Sequence, residues 1–288
     1  MRTFITYCRA WLAMCIAWGA IAVSMVVVVV GGIPYALCAD PFIGRWIPNP
    51  FAWIPKWYSA FVTRLCYRWI LGVRIVVSIR GSVRGRRLCI GNHPTALAMP
   101  VVWWVITRYI APHVVTVGKR EHAWNPFIGW PLIILRALIL IDRRDHASAL
   151  RSIRDGLRRT ARAVYALVIF PDMRRPTPER ILADREKFAD RIPRLRAWLR
   201  YSLVPRIGGL AEILEHTDPP LPVVHLTQAF DVEEYGVFNV VRIVNRTIYV
   251  DIEEAMVPLP RDRFALANVL NAEWEKKHRR IAEWRRNV

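Results

Sequence analysis

Three short segments place reactive side chains directly after apolar runs. Leu88-Cys89-Ile90 is followed by Gly91-Asn92-His93-Pro94-Thr95. Ala137–Ile141 is followed by Asp142-Arg143-Arg144. Ala166–Phe170 leads into Pro171-Asp172-Met173-Arg174-Arg175. Each run reads as a strand, and ligands of open α/β sheets bind at the carboxyl ends of strands. One sheet edge would therefore receive an imidazole able to move protons near neutral pH (His93), an aspartate (Asp172) and clustered guanidinium groups. Arg143 and Arg175 have the forked donors that hold a phosphate, so they are expected to share one phosphate-sized site beside His93. A histidine alone is more often structural than catalytic. Its company at successive strand ends is what turns the reading towards chemistry.

The elements that must position these residues follow from apolar periodicity. Val73–Ile79, Leu88–Ile90, Val114–Lys119, Ala137–Ile141, Ala166–Phe170, Leu221–Thr227 and Val240–Val250 read as strands. Helical patterns run through Pro100–Tyr109, from His146 to about Val164, and from Asp262 to Arg286. Strands separated by helices of this length indicate an α/β sheet with helices packed around it. The chain shows neither an internal repeat nor a low-complexity linker, so residues 71–288 read as one domain.

Ahead of that domain, Ala10 to Ala39 passes without a charge for thirty residues. About 20 apolar residues span a bilayer core, and a cleaved signal peptide has a shorter apolar region, so this stretch reads as a retained anchor. Gly31, Gly32 and Pro34 leave open whether it crosses the bilayer or re-enters on the same side. Pro41–Arg74 then mixes Trp46, Trp53, Trp57, Tyr58, Phe61, Tyr67 and Trp69 with Arg45, Lys56, Arg64 and Arg68. Rings interleaved with cations suit the headgroup layer; an amphipathic core helix is the other reading. Residues 1–70 thus form an anchor and interfacial segment. The net charge of +19 comes from five lysines and 37 arginines against 23 acidic residues. That skew reflects either genomic base composition or attraction to an anionic partner. No nucleic-acid-binding motif accompanies it, which leaves phospholipid as the partner and nucleic acid as none. Cys8, Cys15, Cys38, Cys66 and Cys89 show no paired spacing, so neither a disulfide framework nor a cysteine metal site is expected.

At the strand-end residues the chain resembles the lysophospholipid acyltransferase family of the glycerophosphate acyltransferase superfamily. Asn92-His93 matches the start of its NH-x4-D first motif, Asp142-Arg143 the second, Phe170-Pro171-Asp172 the third and Leu221-Pro222-Val223-Val224 the fourth. Val117–Glu121 and Pro126–Trp130 are similar to the family's link between its first two motifs. Leu203–Gly209 and Trp274-Glu275-Lys276-Lys277 look like the lysocardiolipin and lysophosphatidate acyltransferase branch. The resemblance implies a single mixed-sheet α/β domain flanked by helices. It also implies acyl transfer from acyl-CoA, as co-substrate, to the free hydroxyl of a lysophospholipid. His93 would be the general base, Asn92, Arg143, Asp172 and Arg175 would lie at the acceptor, and neither metal nor cofactor would be required.

The chain departs from that pattern where the chemistry sits. Ala98 stands where the motif aspartate orients the histidine, and the third motif reads Asp172-Met173-Arg174 in place of Glu-Gly-Thr. Losing an orienting carboxylate costs on the order of 10⁴ in rate. The expectation is a catalytically impaired protein, serving as a lipid-binding or structural subunit of a membrane complex. The alternative is an active acyltransferase in which another carboxylate or a water replaces residue 98. The endoplasmic reticulum, the mitochondrial inner membrane and a bacterial inner membrane all fit as compartments. Thirty uncharged residues should resist extraction of the full chain by high salt or carbonate, as membrane fractionation will show. Deleting residues 1–39 should leave weaker, salt-sensitive binding through the basic-aromatic segment.

Overall fold

The computed structural model describes residues 2–35, 37, 51, 53–93, 96–125, 129–142, 145–160, 164–231 and 239–287. Its centre is a seven-stranded mixed sheet built from β1 (Arg74–Arg80), β2 (Arg87–Gly91), β3 (His113–Lys119), β4 (Leu138–Ile141), β5 (Tyr165–Ile169), β6 (Val223–Phe230) and β7 (Thr247–Glu254). The order is β1-β7-β6-β2-β5-β3-β4, with β6, β2, β5, β3 and β4 mutually parallel and β7 antiparallel to β6. The helices are α1 (Arg2–Val27), α2 (Ile54–Phe61), α3 (Met99–Tyr109), α4 (Gly129–Ile134), α5 (His146–Thr160), α6 (Pro178–Phe188), α7 (Leu195–Trp198), α8 (Gly208–Glu215) and α9 (Arg263–Arg286).

Both faces of the sheet are covered, and the strands alternate between them. Leu88 and Ile90 of β2, with Tyr165, Leu167 and Ile169 of β5, pack under the layer that includes Leu210 of α8 and Leu266, Leu270 and Trp274 of α9. Cys89, Ala166 and Val168 point the other way, towards Val101, Val105 and Ile106 of α3. Parallel strands buried on both faces need this near-continuous apolar sequence. One expected strand is corrected: Val240–Val250 is not continuous. It divides into a short 3-10 turn, Val240–Ile243, and β7. Asn245 lies between them with φ +58°, a left-handed conformation that no strand can carry, and its N–H donates to Leu71 O.

The N-terminal helix packs on the same layer as α3. From Thr3 to Gly32 it is long and apolar enough to cross a membrane, with a mean hydropathy of 2.5 in its most apolar window; its last turn, Val28–Gly32, widens to a π-helix. Its two faces differ in residue size. Ala10, Ala13, Ala20, Ser24 and Val28 are buried, whereas Phe4, Trp11, Leu12, Trp18, Val23, Val26 and Val30 are exposed. Small side chains let α1 approach the π-helical continuation of α2 (Val62–Ile70), where Ala10 and Ala13 share a core with Val62, Cys66 and Tyr67. Arg9 Nε donates to Ile70 O at the end of that turn. The outer face stays apolar and uncovered, as a lipid-facing surface would be.

Within the expected interfacial segment, residues 38–50 and 52 lie outside the described residues. Trp53, Trp57 and Trp69 are exposed, as headgroup-level rings should be, but Tyr67 is not. Tyr67 is buried, and its hydroxyl donates to Leu97 O, tying this segment to the chain just past the candidate site. Ala13→Leu is expected to overpack the α1 seam and destabilise the detergent-solubilised protein by about 1–3 kcal/mol, seen as a lower Tm. Trp11→Ala on the outer face should leave Tm unchanged and weaken binding to liposomes.

Candidate active site

β2 ends where it must turn its reactive residues outward. The ladder to β6 closes at Gly91 opposite Leu226, and a Cβ on Gly91 would lie 3.0 Å from Phe170 Cε1. Glycine thus lets the Phe170 ring close over the strand end, where it sits 5.0 Å from the His93 ring. Beyond the ladder, the Asn92 side chain continues the pairing. Its Nδ2 donates to Gln228 O at 2.9 Å, its Oδ1 accepts from Gln228 N–H at 3.0 Å, and Gln228 Nε2 donates to Asn92 O. Asn92 is 1% exposed. With both ends of its amide engaged on β6, Asn92 holds the base of His93 in place.

A cation completes this fork. Lys277 of α9 is 1% exposed, and its Nζ donates to Leu226 O at 2.7 Å, Ile90 O at 3.3 Å and Thr227 Oγ1 at 3.4 Å. Burial pushes its pKa down from 10.5 to about 8, with Glu273, Asp251 and Glu253 opposing and Arg280 assisting. The same burial, aided by Lys277 and Lys276, depresses His225 on β6 to about 3 and keeps it neutral. Sequence reasoning singled out neither Gln228 nor this role for Lys277. A signal for the lysine existed: it lies near the stripe Leu266, Leu270, Trp274 and Ile281, a lysine beside an apolar helix face in an arginine-rich chain.

His93 emerges from this fork half-buried. Its main-chain N–H donates to Asp172 Oδ2 at 2.8 Å. Asp172 is 3% exposed and sits in a tight turn after β5. There Met173 N–H donates to Phe170 O, Arg174 N–H to Asp172 O and Arg206 N–H to Pro171 O. Met173 holds φ +58°, so the position where the family has glycine does require the left-handed region, and this chain bears it with a bulky residue. Ala98 closes the 3-10 turn Ala96–Ala98 that enters α3, and it is 1% exposed in the apolar cluster with Cys66, Tyr67 and Val101.

The structure therefore brings Asn92, His93 and Asp172 together. Arg143 lies outside the described residues, and with it the expected pairing to Arg175. Arg175 follows Asp172 by three residues, half-buried, its carbonyl accepting from Arg180 Nη1 at 3.0 Å. Asp142, at the end of β4, pairs with Arg120 at 3.6 Å. Beside it opens a cleft of about 450 Å³ lined by Arg120, Arg136, Asp142 and Ser152. β5 and β3 separate this cleft from β2.

A mixed α/β sheet with a histidine and an aspartate at the ends of neighbouring parallel strands, preceded by a long apolar helix, defines an α/β protein with a strand-end site. The chain belongs to the Acyltransferase family, whose pattern matches residues 74–225, more than half of the sequence. It is 29% identical over 143 residues to a 1-acyl-sn-glycerol-3-phosphate acyltransferase of Cocos nucifera, covering 49% of this chain and 45% of that one. A protein of the same description from Limnanthes douglasii is 30% identical over 121 residues, covering 42% of this chain and 41% of the relative. The matches thus span less than half the length of these relatives. Across 98% of both chains the fold is similar to that of the 1-acyl-sn-glycerophosphate (LPA) acyltransferase of Thermotoga maritima, with TM-score 0.51 and 12% identity.

The buried lysine makes stability depend on pH in a definite direction. Folded Lys277 releases its proton near pH 8, whereas the unfolded chain keeps it to about 10.5. Between those values the unfolded state binds more protons, so this group makes the fold more stable as pH rises. The difference in unfolding free energy between the wild type and Lys277→Met should therefore rise between pH 8 and 10 by up to about 1.4 kcal/mol per unit. Denaturant titrations in detergent measure it, and subtracting the variant removes the other titrating groups.

Proposed function

We propose that this chain transfers an acyl group from acyl-CoA to the free hydroxyl of a lysophospholipid at a membrane surface. One observation carries the proposal: His93 is presented at the carboxyl end of β2, its main-chain N–H held by the buried carboxylate of Asp172. The description of the curated relatives as 1-acyl-sn-glycerol-3-phosphate acyltransferases supports a glycerol-phosphate acceptor. The apolar outer face of α1 and the exposed Trp53, Trp57 and Trp69 support a lipid surface as the place where such an acceptor is met.

In this reading His93 Nε2 takes the hydroxyl proton while the oxygen attacks the thioester carbon. The C–S bond then breaks, and the leaving CoA thiolate takes the proton back from the imidazole. The acceptor's phosphate would be held by guanidinium groups of the second and third motifs, with Arg143 and Arg175 in those roles. Acyl-CoA enters as co-substrate, and the residues call on neither a metal nor a bound cofactor.

A second reading rests on Ala98. An alanine packed in an apolar cluster supplies no orienting carboxylate, which supports a protein that binds lysophospholipid or serves as a subunit of a membrane complex with little turnover. Radiolabelled acyl-CoA and a panel of lysophospholipids, offered to the full chain in lipid nanodiscs, separate the two. Acyl transfer is expected, and His93→Ala should reduce it by at least about 10³-fold. A wild-type rate no higher than that of His93→Ala would establish the second reading instead.

A further inference from the structure

We propose that the cleft at the β4 edge of the sheet holds the nucleotide end of acyl-CoA, the adenosine with its phosphate groups, while the pantetheine arm carries the thioester along the strand ends to His93. The inference rests on the acyl-transfer reading above and deepens it by giving the acyl donor a place.

Distance comes first. The ladders align Ile90 of β2 with Ile169 of β5, and Val117 of β3 with Ile139 of β4; Thr116 stands opposite Val168, which puts Val117 level with Ile169. One rung therefore runs through Ile90, Ile169, Val117 and Ile139. His93 follows Ile90 by three residues and Asp142 follows Ile139 by three, so both stand at the same height on the carboxyl edge. Three strand spacings separate them, about 14 Å. The pantetheine arm, from sulfur to the first phosphorus, has the backbone bonds of about four residues, roughly 14 Å when extended. A thioester at His93 thus leaves its phosphates at the cleft. The phosphate of a lysophospholipid, only a few bonds from the reacting hydroxyl, falls short of β4.

The lining has the chemistry of a nucleotide site. The cleft, about 450 Å³, is of a size that takes a small molecule, and it is lined by Arg120, Arg136, Asp142, Ser148, Ser152 and Asp155. Guanidinium groups and hydroxyls donate to phosphate oxygens, and carboxylates accept from ribose hydroxyls and the adenine amino group. A bare phosphate would use only the first set. Asp142 is partnered by Arg120 at 3.6 Å, so the acid at the strand end is already balanced. Among the described residues β4 is the last strand of the sheet, so the outer side of its main chain has no partner strand, and its residues from Leu138 to Leu140 line the cleft. Such an edge offers N–H and C=O groups to the rim of a purine.

Arg136 adds a conformational argument. It follows α4 with φ +55°, its N–H donating to Ile133 O and the Ala137 N–H to Leu132 O, a helix closure that glycine fills best. An arginine serves folding less well there than glycine would, and its side chain lines the cleft.

Calorimetric titration of CoA into the full chain in nanodiscs tests the site without turnover. Arg136→Gly is the informative variant, because glycine suits the left-handed position and should leave Tm unchanged or raised. Ser152→Leu places a good helix former within α5 and fills the cleft instead. Each should weaken CoA binding by at least about tenfold. Each should also cut the preference in kcat/KM for acyl-CoA over the matching acyl-N-acetylcysteamine thioester, which lacks the nucleotide, by at least about tenfold, with the lysophospholipid KM held within about threefold. CoA that fails to bind the wild type, or that binds both variants as tightly as the wild type, would overturn the proposal. A raised lysophospholipid KM with an unchanged acyl-CoA KM would overturn it too, by giving the cleft to the acceptor's headgroup. If the wild type shows no turnover, the acyl-transfer reading fails, while the CoA titration still decides whether the cleft holds a nucleotide.

Discussion

A parallel strand that ends inside a sheet covered on both faces leaves amides and carbonyls with no water to turn to, and they must find partners in the protein. In this chain the strand that ends that way, β2, carries His93, and the solution is the fork between β2 and β6. Asn92 and Gln228 extend the ladder through their side chains, and Lys277 reaches from α9 to cap Ile90 O and Leu226 O. Each partner removes a penalty of about 1–3 kcal/mol for a buried polar group left unsatisfied. Together they fix the direction in which the chain leaves the sheet. The position of His93, the closure of Phe170 over Gly91 and the contact with Asp172 all depend on that direction.

The opposite layer solves a different problem. A helix as apolar as α1 must satisfy two environments, the protein on one side and something apolar on the other. Alanines and Ser24 form the protein side, and aromatic and branched residues form the outside. The same division runs through the segment that follows, where Trp69 faces out while Tyr67 turns in to bond Leu97 O beside residue 98. The surface that would meet lipid and the segment that follows His93 are thus two faces of one packed layer, joined by hydrogen bonds from Tyr67 to Leu97 O and from Thr63 to Pro100 O.

The departures from the family pattern look different in three dimensions. In the sequence, Ala98, Asp172 and Met173 are separate losses. In the structure, Ala98 is an ordinary core residue, and Met173 bends the turn that presents Asp172 to His93.

Residue order alone determined a good deal here. Apolar runs located five of the seven strands to within one residue at each end and a sixth, Leu221–Thr227, to within three, because strands buried on both faces have little freedom of composition. Thirty uncharged residues announced the apolar helix, and the strand-end placement of His93 followed from where the apolar run stops. Val240–Val250 misled because a 3-10 turn and a strand can both be apolar; the left-handed Asn245 that separates them is set by its bond to Leu71 O, a partner distant in sequence. The joining of Asn92 to Gln228, the capping of β2 by Lys277 and the meeting of His93 with Asp172 span 136, 187 and 79 residues. Periodicity describes which face a residue occupies and cannot say which distant residue faces it. Only the crossing of β2, β5 and β6 in one sheet decides that, because strand order puts their ends within hydrogen-bond reach.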